Sequence, residues 1–106
     1  MSKPQRLTYP TAMVLQALDR GLRHGFDIID VTGVRSGTVY PLLRRLEEAG
    51  LVRAHWEDVE IARRESRPPR KYYELTDRSQ PLLQTARERF PALASVPRGG
   101  EVGDSA

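Results

Sequence analysis

From Val39 to Leu46 the apolar residues fall at i, i+3, i+4 and i+7, and just after Gly50 the apolar spacing changes to every second residue. That change of period constrains the fold more than any other feature of the chain. A stripe at 3.6-residue spacing is one face of an amphipathic helix, whereas alternation is one face of a strand. The helix is predicted to open at Ser36, whose hydroxyl is suited to cap it, and to run to about Ala49, with Gly50 as the stop. Val39, Leu42, Leu43 and Leu46 then face inward, and Thr38, Arg44, Arg45 and Glu48 face outward. Residues 51–58 read as a strand with Val52, Ala54 and Trp56 on one face. Residues 70–75 read as its return partner, with Tyr73 and Leu75 sharing a face. Trp56 is expected to pack the base of this hairpin.

Two further helices are predicted upstream. Thr8 is a cap for a helix over residues 9–20 with Met13, Val14, Ala17 and Leu18 at helical spacing, and Gly21 ends it. A shorter helix over residues 24–31 offers Phe26, Ile28 and Ile29 for burial, and the break through Thr32, Gly33, Val34 and Arg35 is the turn before the helix that opens at Ser36. Residues 59–69, with Pro68 and Pro69, read as a long hairpin tip. A fourth helix starts near Ser79, carries the stripe Leu82, Leu83, Ala86 and Phe90, and ends or kinks at Pro91. The Gly- and Pro-containing end reads as disordered. The domain reading is therefore a unit over residues 8–76, a C-terminal helix over 77–95 and a tail over 96–106.

Three helices followed by a hairpin is the order of a winged helix-turn-helix, so the fold class is α+β, mainly α. A helix fits the major groove of DNA, where each base pair shows a distinct donor and acceptor pattern, and recognition helices present their N-terminal turn. Here that turn and its approach are Arg35, Ser36, Gly37, Thr38, Val39 and Tyr40. Pro41 breaks a local rule, because a proline at this depth deletes an intrahelical hydrogen bond, and such violations tend to mark functional sites. The hairpin supplies a second contact. Residues 61–73 hold Arg63, Arg64, Arg67, Arg70 and Lys71 against one acid, Glu65, in a chain whose whole formal charge is +3. Arginines on such a loop are suited to phosphates or the minor groove. The candidate DNA-contacting set is therefore Arg35, Ser36, Gly37, Thr38, Tyr40, Pro41, Arg44, Arg63, Arg64, Arg67, Arg70 and Lys71. Lys3 and Arg6 on the N-terminal arm are further cations that either extend along DNA or stay disordered.

Composition narrows the alternatives. The chain has 106 residues and no cysteine, which leaves room for one domain and excludes disulfides and thiolate chemistry. There is no apolar run of membrane-spanning length and no signal-peptide core, so a cytoplasmic protein is expected. His24 and His55 have no ligand partners at paired spacing, so neither a metal site nor any cofactor is expected. No nucleophile–base pairing or phosphate loop points to an enzyme. The competing reading is a winged-helix protein-interaction module that never touches DNA.

The segment SGTVYPLLRRLEEAGLV (residues 36–52), the stretch PPRKYYELT (68–76) and the stretch HGFDI (24–28) together resemble three ordered motifs of the PadR-like transcriptional regulators. The resemblance covers about residues 8–90. It implies a homodimeric repressor on palindromic operators, in which the C-terminal helix packs against the partner's first helix. Mapped onto this chain, Leu82, Leu83, Ala86 and Phe90 would meet Met13 and Leu15 of a second copy. Two departures stand out: the second helix is shorter than in most relatives, and the fourth closes early at Pro91. Relatives that bind flat drugs carry aromatic residues on the fourth helix. Phe90 is the single one here, so a small-molecule effector has no support in the sequence.

Overall fold

A computed structural model describes residues 6–99. Lys3 lies outside them. Helix α1 (Tyr9–Asp19) starts at Thr8, whose hydroxyl accepts from the Thr11 N–H at 3.3 Å. Its sides are nearly all covered, Thr11, Ala12, Val14, Leu15, Gln16, Ala17 and Leu18 being buried, because other elements pack around it. Helix α2 (Gly25–Thr32) ends on Gly33 at φ +73°, a left-handed residue that lets the chain reverse. The Thr32 hydroxyl tightens this turn, donating to the Ile28 carbonyl at 2.6 Å and accepting from the Val34 N–H at 3.2 Å.

Helix α3 (Ser36–Glu48) buries Val39, Leu42, Leu43 and Leu46, as its period predicts. Ser36 is not its cap. The capping position falls on Arg35, and no side chain there accepts from the helix start. Strands β1 (Val52–Trp56) and β2 (Lys71–Leu75) pair antiparallel, with Val52 opposite Leu75 and Trp56 opposite Lys71. The hairpin tip is not an irregular loop. Asp58 accepts from the Glu60 N–H at 2.8 Å and caps a short helix, α4 (Val59–Arg64), from which the chain returns through Pro68 and Pro69. A 3-10 turn (Asp77–Ser79) leads into α5 (Gln80–Arg89), and Pro91 opens a second 3-10 segment (Pro91–Ser95).

The main core joins Leu15, Leu18 and Ile28 to Leu43, Leu46, Val52, Tyr73 and Leu83. A second cluster, Ala12, Ala86 and Leu93, seals α5 and the last 3-10 segment onto the other side of α1. Val96 also enters the core at 6% exposure, so the start of the expected tail is packed structure, and residues 100–106 lie outside the described ones. Two apolar residues expected inside are outside: Phe26 is 73% exposed and Trp56 is 66% exposed. Both sit where the core has ended, Phe26 on the outer side of a two-turn helix and Trp56 at the far end of a twisted two-stranded ribbon.

The α5 side chains find their partners within the same chain. Leu15, Leu83 and Ala86 are 0%, 1% and 0% exposed in the single protomer, which leaves them no surface for a second copy. Gln16 donates to the Leu93 carbonyl at 3.1 Å and accepts from Arg87 at 3.1 Å, and Arg87 also pairs with Asp19. Phe90 meets Tyr9 edge to face at 5.3 Å. Of the six residues expected at a dimer contact, Met13, Leu82 and Phe90 keep part of their surface open.

Candidate nucleic-acid interface

The inward stripe of α3 forces its other side outward. Arg35, Ser36, Gly37, Thr38, Tyr40, Pro41, Arg44 and Arg45 are all exposed. Tyr40 lies flat against the start of α2, where a Cβ on Gly25 would stand 2.4 Å from the Tyr40 ring, so only glycine allows this approach. Beside Tyr40 runs a groove of about 370 Å³, lined by His24, Gly25, Phe26, Asp27, Arg70, Lys71 and Tyr73 as well. The groove therefore brings Tyr40 of α3 together with the start of the hairpin's return strand. Arg63 and Arg64 stand apart from it, on α4 at the hairpin tip.

Arg67 stands apart from the rest of the basic cluster. Its guanidinium is only 19% exposed and forms a two-point pair with Glu57, at 2.5 and 2.8 Å, plus a 2.6 Å pair with Glu65. Glu57 also accepts from the Arg70 backbone N–H at 3.3 Å and the Tyr72 hydroxyl at 3.1 Å. The Arg67 hydrogen bonds hold the Glu57 carboxylate down to about 2, against the opposing effect of burial, and Glu57 in turn pushes the Arg67 pKa up. A charge held this way closes the hairpin and is not offered outward. Lys71 is partly engaged as well, 3.8 Å from Glu47 and over the Trp56 ring at 5.8 Å, whereas Arg63 makes an open pair with Glu60 at 3.3 Å. Such open pairs are weak and exchange readily. Among the described residues no carboxylate lies in ion-pair range of Arg35, Arg44, Arg64 or Arg70.

The hairpin is also fixed to α2. The Tyr73 N–H donates to the Arg23 carbonyl at 2.8 Å, and the Tyr72 ring lies between His24, at 4.4 Å, and His55, at 5.5 Å. Burial lowers the His24 pKa and raises those of Tyr72 and Tyr73. Tyr73 is a core residue at 8% exposure, so the groove has a firm floor. Sequence reasoning missed two parts of this face: Glu57, read as outward by simple alternation, and Phe26, read as core. Among the described residues no group of three His, Cys, Asp or Glu is placed to hold a metal, and no helix is long and apolar enough to cross a membrane.

A helix-turn-helix whose second helix stands open beside a two-stranded wing defines the class of winged-helix regulators. The family model described as the transcriptional regulator PadR-like family matches residues 14–85, and the chain belongs to that family of DNA-binding regulators. Solved structures share the fold. A PadR family transcription regulator from Clostridium difficile R20291 aligns with TM-score 0.66 at 20% identity, over 84% of this chain and 94% of its own. A PadR-like transcription factor from Bacteroides fragilis gives TM-score 0.58 at 27% identity, over 80% and 82%. A Streptococcus mutans UA159 protein gives TM-score 0.60 at 22% identity, over 89% and 87%. No curated protein matches the chain.

Proposed function

We propose that this protein is a repressor that works in the cytoplasm as a homodimer on a palindromic operator. The observation that carries the reading is the groove that joins Tyr40 on the exposed side of α3 to Arg70 and Lys71 of the hairpin. Arg35 to Thr38 and Arg44 are exposed on the same helix, and Arg63 and Arg64 are exposed on the wing tip. On this reading the first turns of α3 enter the major groove, with Thr38 and Tyr40 at base edges. Arg70, Arg63 and Arg64 follow the flanking phosphates. Lys71 joins them when it leaves Glu47. Arg67 positions the wing through Glu57 and touches no phosphate. The dimer contact uses what α1 and α5 leave open, namely Met13, Leu82 and Phe90 together with Tyr9, which is 45% exposed. The reading calls for no cofactor and no catalysis.

Recovery of bound sequences from a random duplex pool tests it, with a palindromic consensus expected. Light scattering at micromolar concentration should give the mass of two chains. A monomer would remove the dimer from the reading. The protein-interaction module has one observation in its favour, the open apolar side chains of Trp56, Val59 and Ile61 on the wing. No enrichment from the pool would overturn the DNA reading and favour that one.

A further inference from the structure

Gly37 is the one glycine among the described residues that the fold does not explain. Gly21, Gly33 and Gly50 have φ of +89°, +73° and +77°, which side chains rarely adopt. Gly25 makes room for Tyr40, and a Cβ on Gly99 would stand 2.6 Å from the Gly21 carbonyl oxygen. Gly37 has ordinary helical backbone inside α3, and a Cβ there would meet nothing within 4 Å. Alanine would make a better helix at that position.

The second irregularity of α3 lies one turn on. Pro41 is inside the helix and exposed. The helical partner of a carbonyl is the N–H four residues later, so the donor owed to the Gly37 carbonyl is the one Pro41 lacks. The proline ring also tilts that carbonyl away from the helix axis. Both irregularities thus fall on one peptide group, at an exposed residue without a side chain, and Pro41 offers its carbonyl no N–H. It sits on the part of α3 that the proposed function sends into the major groove.

We infer that the Gly37 carbonyl reads a base. It accepts a hydrogen bond from an exocyclic amino group on the major-groove edge, the N6 amino of adenine or the N4 amino of cytosine. The missing Cβ lets the base edge approach. An acceptor here rejects guanine O6 and thymine O4, which are acceptors themselves. Proteins usually read bases with side chains. This site uses the backbone, and that explains why α3 tolerates two poor helix formers four residues apart. The inference rests on the DNA-binding reading and adds a specificity determinant to it.

The test runs duplex selection with wild type, Gly37→Ala and Pro41→Ala in parallel. Pro41→Ala returns an N–H to the carbonyl, and Gly37→Ala puts a methyl group in the path of the approaching base edge. The wild type should select adenine or cytosine at one position per half-site, and both variants should lose that preference. Both should bind the wild-type consensus about tenfold more weakly per half-site, the scale of one base contact, and so about a hundredfold more weakly as a dimer on the full site. Their thermal midpoints should be equal or higher. In the selected duplex, replacing that adenine by purine, or that cytosine by 2-pyrimidinone, removes the amino group alone. This should weaken the wild type about tenfold and leave Pro41→Ala unmoved. Variants that keep the wild-type consensus and affinity would overturn the inference, as would an analogue that weakens wild type and Pro41→Ala equally. A wild type that selects nothing would instead overturn the DNA-binding reading beneath it.

Discussion

Arg70 and Arg67 are three residues apart and equally charged, yet on the proposed function they have opposite roles, and salt titration separates the two. The Arg70 side chain is exposed with no carboxylate in ion-pair range, and its link to Glu57 runs through the backbone N–H, which alanine keeps. Arg67 spends its guanidinium on Glu57 and Glu65. Each phosphate neutralised contributes about 0.9 to the slope of log affinity against log salt. Arg70→Ala should therefore flatten the slope by about 0.9 per protomer, or about 1.8 for a bound dimer. Between 50 and 200 mM salt that amounts to roughly a 12-fold smaller loss of affinity than in wild type. Arg67→Ala should leave the slope parallel to wild type and lower the urea midpoint of unfolding, because Glu57 loses its main partner. Fluorescence anisotropy with a labelled duplex at four salt concentrations reads the first quantity, and urea titration followed by circular dichroism reads the second. If Arg67→Ala flattened the slope as much as Arg70→Ala did while keeping wild-type stability, the assignment of Arg67 to the interior of the wing would be refuted.

Glu57, held at about 2 against a usual 4.5, favours the folded state fully above the unfolded value and loses that contribution as pH falls from about 4.5 through 2. The urea midpoint of wild type should fall over that window, and Glu57→Gln should show a smaller fall from a lower start. Leu83→Ala should cost about 2–5 kcal/mol of stability, as deletion of a packed leucine does. The loss should leave the monomer–dimer equilibrium unchanged in sedimentation, since Leu83 is 1% exposed within one chain. The single tryptophan, Trp56, is 66% exposed, so its emission should lie at the water-exposed end of the range and be quenched freely by acrylamide. A blue, protected emission would contradict the placement of the wing.

The helices of this fold were legible because their signals are local and redundant. The α3 stripe, the Thr8 cap and the glycine stops each bear on residues a few positions away. Other features depend on partners that the sequence does not put side by side. Leu83 and Ala86 both announce burial by their spacing, but spacing does not say whether the covering surface belongs to the same chain. Arg67 read as free because its carboxylate lies ten residues away across the hairpin, at a position alternation placed in solvent. Trp56 shares a face with Val52, and only the length of the core decides that one is covered and the other is not. The α4 helix had a usable signal, Asp58 ahead of Glu60, Ile61, Ala62 and Arg63, which the two prolines outweighed. At the candidate site, exposure of the α3 residues followed directly from the stripe. The groove did not, because it is made by three segments that meet only after folding.

The Tyr73 N–H bonds the Arg23 carbonyl just ahead of α2, and the Tyr72 ring meets His24 at the start of that helix, so the wing is tied to the chain that leads into α2. On the proposed function this turns the protein into a caliper. The span from α3 to the wing tip is set before any duplex arrives, so little ordering entropy is spent on contact. The double helix has to supply the adjustment. Steps that bend or narrow easily meet the fixed span at low cost and stiff ones do not, so base pairs that no side chain reaches still count toward the choice of operator.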